Sequence, residues 1–279
     1  MKKLFAVIGD PISHSMSPAM HNDLFQVYGL DAHYHALRVR PSDLKDAIKG
    51  LKAIGISGFN VTIPHKVEIM PLLDRIDPLA LSIGAVNTVV NEGGDFVGYN
   101  TDGSGYVKGL LSDIPTIIDR SVLIIGAGGA ARAIFFTMAF EGAKKIDITN
   151  RTVSKAADLI DSCPYETNSD ALEIQDAEAE LGKYDIVIQT TSIGMSPHIN
   201  EEPLSLHFLK SDAFVSDIIY NPLETKMLQL ARLKGANIQN GLNMFVFQGA
   251  LAFEKWTGIF PDTERMKRLV KSQLGGSQC

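Results

Sequence analysis

The stretch Ser121-Val122-Leu123-Ile124-Ile125-Gly126-Ala127-Gly128-Gly129-Ala130-Ala131-Arg132 decides the fold class. Its first part is uncharged and β-branched, as a strand buried on both faces should be; a glycine-rich turn follows, and small residues then open a helix. Gly126 permits the tight turn, Gly128 lets a backbone approach a pyrophosphate, and Ala131 at the third small position allows close helix–strand packing. The free N–H groups at the helix start then face phosphate. On these grounds Gly126, Ala127, Gly128, Gly129 and Ala130 are candidate dinucleotide ligands.

In such a unit the next strand usually ends in an acid that binds the ribose hydroxyls. Here the strand Lys145 to Thr149 ends instead in Asn150-Arg151-Thr152. An acid would repel a 2′-phosphate, whereas the Arg151 guanidinium can pair with it through two hydrogen bonds and the Thr152 hydroxyl can add a third. Lys155, one helical turn later, brings further positive charge. NADP is therefore expected over NAD, and Asp147, mid-strand, is a weak rival acid.

Working outward, apolar and β-branched runs recur at Leu4–Ile8, Tyr34–Val39, Ile56–Val61, Ala85–Val90, Val122–Ile125, Ile146–Thr149, Ile186–Gln189 and Phe214–Ile219. Segments of helical spacing lie between most of them: Ala19–Leu30, Leu44–Ile54, Ala130–Phe140, Val153–Ile160 and Leu223–Leu233. Alternation of this kind predicts an α/β protein with largely parallel sheets. Ser17-Pro18 and Ser42-Asp43 read as helix starts, each with a serine placed to cap exposed N–H groups. The run Tyr99-Asn100-Thr101-Asp102-Gly103-Ser104-Gly105 reads as a glycine-rich turn and is the hinge candidate. The apolar helix Phe245–Phe253 comes too late for the second strand–helix series and is expected to pack back on the first domain.

The chain has 279 residues, which suggests two domains. Its 26 basic against 32 acidic residues leave a formal charge of -6, the wrong sign for a protein whose main partner is nucleic acid or anionic lipid. No stretch has the apolar length of a membrane span, and the apolar run after Lys2 and Lys3 is too short for a secretion signal. The cysteines, Cys163 and Cys279, form neither a disulfide framework nor a zinc spacing, and a reducing, cytoplasmic setting is expected.

Four further stretches resemble the signature motifs of the shikimate dehydrogenase family: Gly9-Asp10-Pro11-Ile12-Ser13-His14-Ser15-Met16-Ser17-Pro18, Gly58-Phe59-Asn60-Val61-Thr62-Ile63-Pro64-His65-Lys66, Gly84-Ala85-Val86-Asn87-Thr88 and Gly98-Tyr99-Asn100-Thr101-Asp102-Gly103. They stand in that family's order, followed by its glycine-rich and Asn-Arg-Thr motifs and by Gly241-Leu242-Asn243-Met244 with Gln248. The resemblance implies an N-terminal α/β substrate-binding domain, residues 1–101, completed by C-terminal helices from 241 to 279. A Rossmann-type NADP-binding domain, 102–240, would lie between them in sequence, with the catalytic cleft between the two domains. It also implies shikimate and 3-dehydroshikimate as substrates, and Ser15, Ser17, Thr62, Lys66, Asn87, Asp102, Tyr220 and Gln248 as the residues that meet them. Ile218, Gly241 and Met244 would complete the cofactor site on the nicotinamide side. Oligomeric state stays open between monomer and homodimer.

Chemistry agrees with that carry-over. Hydride addition to a ketone leaves an oxyanion, which needs a proton donor or a cation, and lysine can be either. Lys66 follows a strand directly, where open α/β sheets place their ligands. A Lys66–Asp102 pair can aim the ammonium at the reacting oxygen and supply a base for the reverse oxidation. Ser15 and Ser17 at a helix N-terminus suit a carboxylate, and Thr62, Asn87 and Gln248 offer donors and acceptors for ring hydroxyls.

The histidines give less. His33 and His35 share a strand face but have no further ligand at a metal spacing, while His65, beside Lys66, is a rival general acid. Two other readings remain open: a quinate/shikimate dehydrogenase of broader specificity, and a non-catalytic sensor of shikimate-like acids. The sensor would be free to lose Lys66 or Asp102, and this chain has both.

Overall fold

The computed structural model describes residues 2–13 and 15–276, so His14 and Cys279 lie outside the described residues. The chain divides into two compact units, one formed by the residues up to Thr101 together with those from Val246 onward, the other by Asp102–Phe245.

The first unit begins with β1 (Lys3–Gly9), α1 (Ser17–Val27), β2 (Ala32–Arg38), α2 (Leu44–Ala53) and β3 (Gly58–Val61). It continues with β4 (Arg75–Ile76), α3 (Pro78–Ile83), β5 (Thr88–Glu92) and β6 (Asp95–Tyr99). The sheet order is β2-β1-β3-β5-β6-β4. Strands β2, β1 and β3 are parallel, but β5 runs antiparallel to both β3 and β6, so the sheet is mixed where the sequence suggested a largely parallel one. The cause is local. Gly93 and Gly94, at φ 67° and 107°, close β5 onto β6 in a tight hairpin, which only antiparallel strands can share.

Helix α2 shows why these segments fold as they do. Leu44, Ile48 and Leu51 recur at helical spacing and are buried, while Lys45, Lys49 and Lys52 face water. Its apolar stripe packs with Ile8, Phe59, Val89 and Phe96, and each such buried side chain contributes roughly 1.5–3 kcal/mol. The serine caps, by contrast, are not formed. Ser17 is the first residue of α1 rather than its cap, and its N–H donates to Ser15 Oγ at 3.3 Å. Ser42 lies in a short 3-10 turn, Pro41–Asp43, and its hydroxyl donates to the Asp43 carboxylate. A side-chain cap the unit does build is Asp77, whose Oδ1 accepts the N–H groups of Leu79 and Ala80 at the start of α3. Strand β2 is an edge, and Asn22 covers it by donating to the Tyr34 carbonyl and accepting the Tyr34 N–H, both at 2.9 Å.

The second unit starts in α4 (Thr101–Leu110), which replaces the expected turn. It proceeds through β7 (Ser121–Ile125), α5 (Gly129–Phe140), β8 (Lys145–Thr149), α6 (Val153–Asp161), β9 (Ala171–Leu172) and α7 (Ile174–Ala179), then β10 (Ile186–Gln189), β11 (Phe214–Asp217), α8 (Lys226–Leu233) and β12 (Asn237–Gln239). Gly103 of α4 serves packing rather than bending. A Cβ on Gly103 would collide with Thr137 Oγ1 and the Ala133 carbonyl of α5, so only glycine lets the two helices approach. The sheet is wholly parallel, in the order β12-β11-β10-β7-β8-β9. Counted within the unit this is the doubly wound order 3-2-1-4-5-6 of a dinucleotide-binding sheet, with its switch point between β7 and β10.

Helix α9 (Leu242–Thr257) begins in the second unit and ends in the first, where α10 (Thr263–Gly276) follows it. Trp256 Nε1 donates to the Val89 carbonyl at 3.0 Å, and Gly58 leaves the room its ring needs. Arg265 of α10 holds Asp23 of α1 through two bonds of 2.6 and 2.7 Å.

Around Trp256 the first unit buries His21, stacked at 4.6 Å on Tyr34 and lying 5.2 Å from the Trp256 ring. Neither imidazole nitrogen has a hydrogen-bond partner among the described residues. Burial pushes its pKa from 6.5 down to about 3. The folded protein therefore keeps His21 neutral where the unfolded chain protonates it, so stability is intact above pH 6.5 and falls as the pH drops from there toward 3. His21→Phe should flatten this acid limb, which reaches about 1.4 kcal/mol per pH unit for one proton. Thermal melts of both proteins from pH 8 to pH 4 measure it, and superimposable profiles would remove His21 as the cause.

Candidate functional site

In the second unit the glycine-rich turn sits at the switch point. Gly126 follows β7 with φ at 111°, and a Cβ there would lie 2.7 Å from Thr190 Oγ1 and 2.9 Å from Thr191 Cγ2, on the loop that follows β10. Thr190 is tied to the same turn, since both its N–H and its hydroxyl donate to the Ile125 carbonyl, at 3.0 and 2.7 Å. Gly126 is thus required twice, by conformation and by space. Gly128 and Gly129 differ. They are exposed, and a Cβ on either meets nothing within 4 Å, so the opening helix presents bare backbone. Ala127, Gly128, Gly129, Arg132 and Lys155 line a depression of about 350 Å³ there. Amides, a helix start and two cations, against the one carboxylate of Asp158 in the same hollow, can hold phosphate.

The Asn150-Arg151-Thr152 turn leads from β8 into α6. Asn150 Nδ2 donates to the Thr152 carbonyl at 2.8 Å, which shapes the turn, while Arg151 and Thr152 are exposed. Asp147 is spent on structure: it is buried and accepts from Tyr184 Oη, Lys145 Nζ and the Asp170 N–H at 2.8–2.9 Å. Arg132 reads in the sequence as no more than part of a helix start. The structure stacks its guanidinium 4.4 Å from the Phe136 ring and bonds it to Ser162 Oγ at 2.9 Å, beside the bare amides. Its signal is a cation within the first turn of the phosphate-facing helix.

Beyond β11 the chain carries Ile218 and Tyr220, both half-buried. The strand ends at Asp217, so Tyr220 stands on a loop rather than at the strand end. Its ring lies 5.3 Å from Phe245, and burial raises the phenol above its ordinary pKa. Gly241 packs against this loop: its N–H donates to the Ile219 carbonyl at 2.9 Å, and a Cβ would overlap the carbonyl of Ile218. Met244 follows in the first turn of α9, half-buried. Asp217 is also missed by sequence reasoning, where an acid closing an apolar strand is its only mark. It is buried, it accepts the Ile219 N–H and the Thr225 hydroxyl, and burial pushes it up to about 6.

In the first unit the polar residues gather beyond the ends of β1 and β3. Thr62 follows β3 directly, and Lys66 lies half-buried in the turns after it. The Lys66 carbonyl accepts the Val86 N–H at 2.8 Å, which places the Lys66 backbone beside Asn87. Asn87 is buried, its Oδ1 accepting the Thr101 N–H at 2.7 Å and its Nδ2 donating to Thr101 Oγ1 at 3.0 Å. Its side chain therefore holds the start of α4, a task the sequence does not show. Asp102 is the next residue, half-buried in the first turn of that helix. Behind Asn87 stands a buried network: Tyr34 Oη donates to Asn60 Oδ1 at 2.7 Å, and Asn60 Nδ2 donates to Thr88 Oγ1 at 3.0 Å and to the Asn87 carbonyl at 3.2 Å. Ser15 is half-buried, Ser17 is nearly closed off, and Gln248 lies half-buried on α9.

His65, the rival acid beside Lys66, has a structural partner. It is buried, and its Nε2 bonds the Val39 carbonyl at 2.7 Å, which fixes it as a structural donor. His33 and His35 lie ring to ring at 4.3 Å, and among the described residues no cluster of three or more His, Cys, Asp or Glu could hold a metal. No described helix is long and apolar enough to cross a membrane.

Comparison with known proteins agrees along the chain. Residues 7–89 match the shikimate dehydrogenase substrate binding domain, 110–227 match shikimate / quinate 5-dehydrogenase, and 241–271 match the shikimate 5'-dehydrogenase C-terminal domain. A shikimate dehydrogenase (NADP(+)) of Geobacillus sp. strain WCH70 is 59% identical over 277 residues, covering 99% of this chain and all of its own. A crystal structure of a shikimate dehydrogenase in complex with NADP+ is 43% identical with a TM-score of 0.90, covering 98% of this chain and 96% of the other. The shikimate 5-dehydrogenase of Thermus thermophilus, in complex with NADP(H) and shikimate, is 31% identical with a TM-score of 0.86, covering 97% of this chain and 99% of the other.

Proposed function

The chain belongs to the shikimate dehydrogenase family, and from that premise we propose how its own residues carry the reversible, NADP-linked reduction of 3-dehydroshikimate to shikimate. The first unit takes the substrate and the second the cofactor. One observation carries the assignment of the acid–base pair. The Lys66 backbone is bonded to Val86, the next residue Asn87 clasps Thr101, and Asp102 follows Thr101, a short run of backbone and amide contacts that supports pairing the two.

NADP, when bound, supplies or accepts the hydride; the bare amides of Gly128 and Gly129, with Ala127, Arg132 and Lys155, would hold its phosphates, and Arg151 with Thr152 its 2′-phosphate. In reduction Lys66 gives a proton to the C3 oxygen as negative charge grows there, and its ammonium stabilises that oxyanion. In oxidation the Lys66–Asp102 pair takes the hydroxyl proton. Ser15 and Ser17 receive the carboxylate, while Thr62, Gln248 and Tyr220 order the ring. Asn87 contributes mainly by fixing the start of α4. Productive transfer also requires substrate and nicotinamide at contact distance and out of water. The chain acts in the cytoplasm, as a monomer or a homodimer, a placement supported by its cysteine usage.

Purified protein given shikimate with NADP or NAD in parallel should reduce NADP strongly and NAD poorly, followed by absorbance of the reduced nicotinamide; quinate in a third cuvette separates the broader specificity. Folded protein with no reduction of either cofactor would favour a sensor. Lys66→Ala should lower kcat by about 10²–10⁴ with the shikimate KM nearly unchanged. Turnover within a few-fold of wild type would remove Lys66 from the chemistry. Arg151→Asp should weaken NADPH far more than NADH, because it deletes a phosphate partner and adds a like charge. Binding titrations with both cofactors decide it, and an unaltered preference would mean that another group reads the 2′-phosphate.

A further inference from the structure

We propose that Asp217 is a positioning residue that sets the loop Ile218–Thr225, and with it the nicotinamide side of the cofactor site; this rests on the assignment of Ile218, Gly241 and Met244 to that side given above. Its two carboxylate oxygens hold opposite ends of the loop. Oδ1 accepts the Ile219 N–H at 2.9 Å, and Oδ2 accepts the Thr225 hydroxyl at 2.8 Å. Thr225 Oγ1 in turn accepts the Leu228 N–H at 3.4 Å and so caps α8. The loop between those bonds carries Tyr220, and its Ile219 carbonyl accepts the Gly241 N–H at 2.9 Å. Because Gly241 has no room for a side chain against the Ile218 carbonyl, a shift of one loop must move the other, and Met244 follows Gly241 by one turn.

Stability alone does not explain a carboxylate here. Asp217 is 1% exposed, and burial raises its pKa from 3.8 to about 6. The folded protein binds its proton more tightly than the unfolded chain, so the ionised form costs stability above pH 6, and that cost disappears below 3.8. The titratable group facing it is Tyr106 of α4, itself buried and held neutral by that burial. What the carboxylate achieves is geometric: two acceptors on one rigid group, for a fixed N–H and a hydroxyl. An amide can imitate this, with Oδ1 accepting from Ile219 and Nδ2 donating to Thr225 Oγ1. A methyl group cannot.

The experiment compares Asp217→Asn, Asp217→Ala and Thr225→Val with wild type by calorimetric titration with NADP+, by kcat and KM, and by thermal melting at about pH 7.5, above the raised pKa. Asp217→Ala should raise the NADP+ Kd and KM by about tenfold or more with a smaller fall in kcat, because binding geometry is lost before chemistry. Thr225→Val should move the same quantities in the same direction. Asp217→Asn should stay within about threefold of wild type, since it keeps the Ile219 N–H bond, replaces the Thr225 bond by a reversed one and drops the buried charge. Folded Asp217→Ala within twofold of wild type, or Asp217→Asn as damaged as Asp217→Ala, would overturn the proposal. Should Asp217→Ala not fold, the contrast between Thr225→Val and Asp217→Asn decides in its place. Wild-type turnover of shikimate tests the functional reading separately, and NADP+ calorimetry judges Asp217 even if that turnover is absent.

Discussion

Asn87 uses its amide on Thr101, accepting the backbone N–H at 2.7 Å and donating to the hydroxyl at 3.0 Å. Much of the first unit's buried polar network depends on that clasp. It pins Thr101, the first residue of α4, to the strand entry that also receives the Lys66 backbone. A buried amide with both ends satisfied is rigid, because any other arrangement leaves polar atoms unpaired away from water at about 1–3 kcal/mol each. Tyr34, Asn60 and Thr88 extend the same logic behind it, each placed by a neighbour it also places.

The parts of this architecture that are legible in the sequence are those in which local chemistry and tertiary role coincide. Gly126 must be glycine for the backbone angle of its turn and for the closeness of Thr190, and both reasons point to one residue in one motif. The run Ser121–Ile125 is buried on both faces and reads as such without its partners. Arg151 stands exposed in the turn after β8, a cation where an acid belongs in the alternative cofactor class.

Other elements are hidden because their residues answer to distant ones. Tyr99 to Gly105 has the composition of a turn, yet Gly103 is there so that α4 can lie against α5, and helix propensity yields to packing. Strand β6 contains Gly98, whose Cβ would strike Leu73 and Val86, so its glycine marks a close contact and not a loop. Ser17 and Ser42 carry the composition of caps, but capping depends on the angle at which the chain enters the helix, and here Ser15 and Asp77 do comparable work. His65 reads as chemistry beside a lysine, and only the Val39 carbonyl across the sheet shows that it is structural.

Asp217 and Asp147 show how the same residue type at similar depth divides by its partners. Asp147 is met by Lys145, by Tyr184 and by a backbone N–H, so its charge is balanced where it stands. Asp217 is met by two neutral donors and, among the described residues, by no cation, and its acidity weakens accordingly. A buried carboxylate with a counter-ion can be read as part of the scaffold, whereas one without it costs stability and persists only where its geometry is needed. In this sheet the first stands midway along β8, and the second stands at the carboxyl end of β11, where the loop that bears Tyr220 begins.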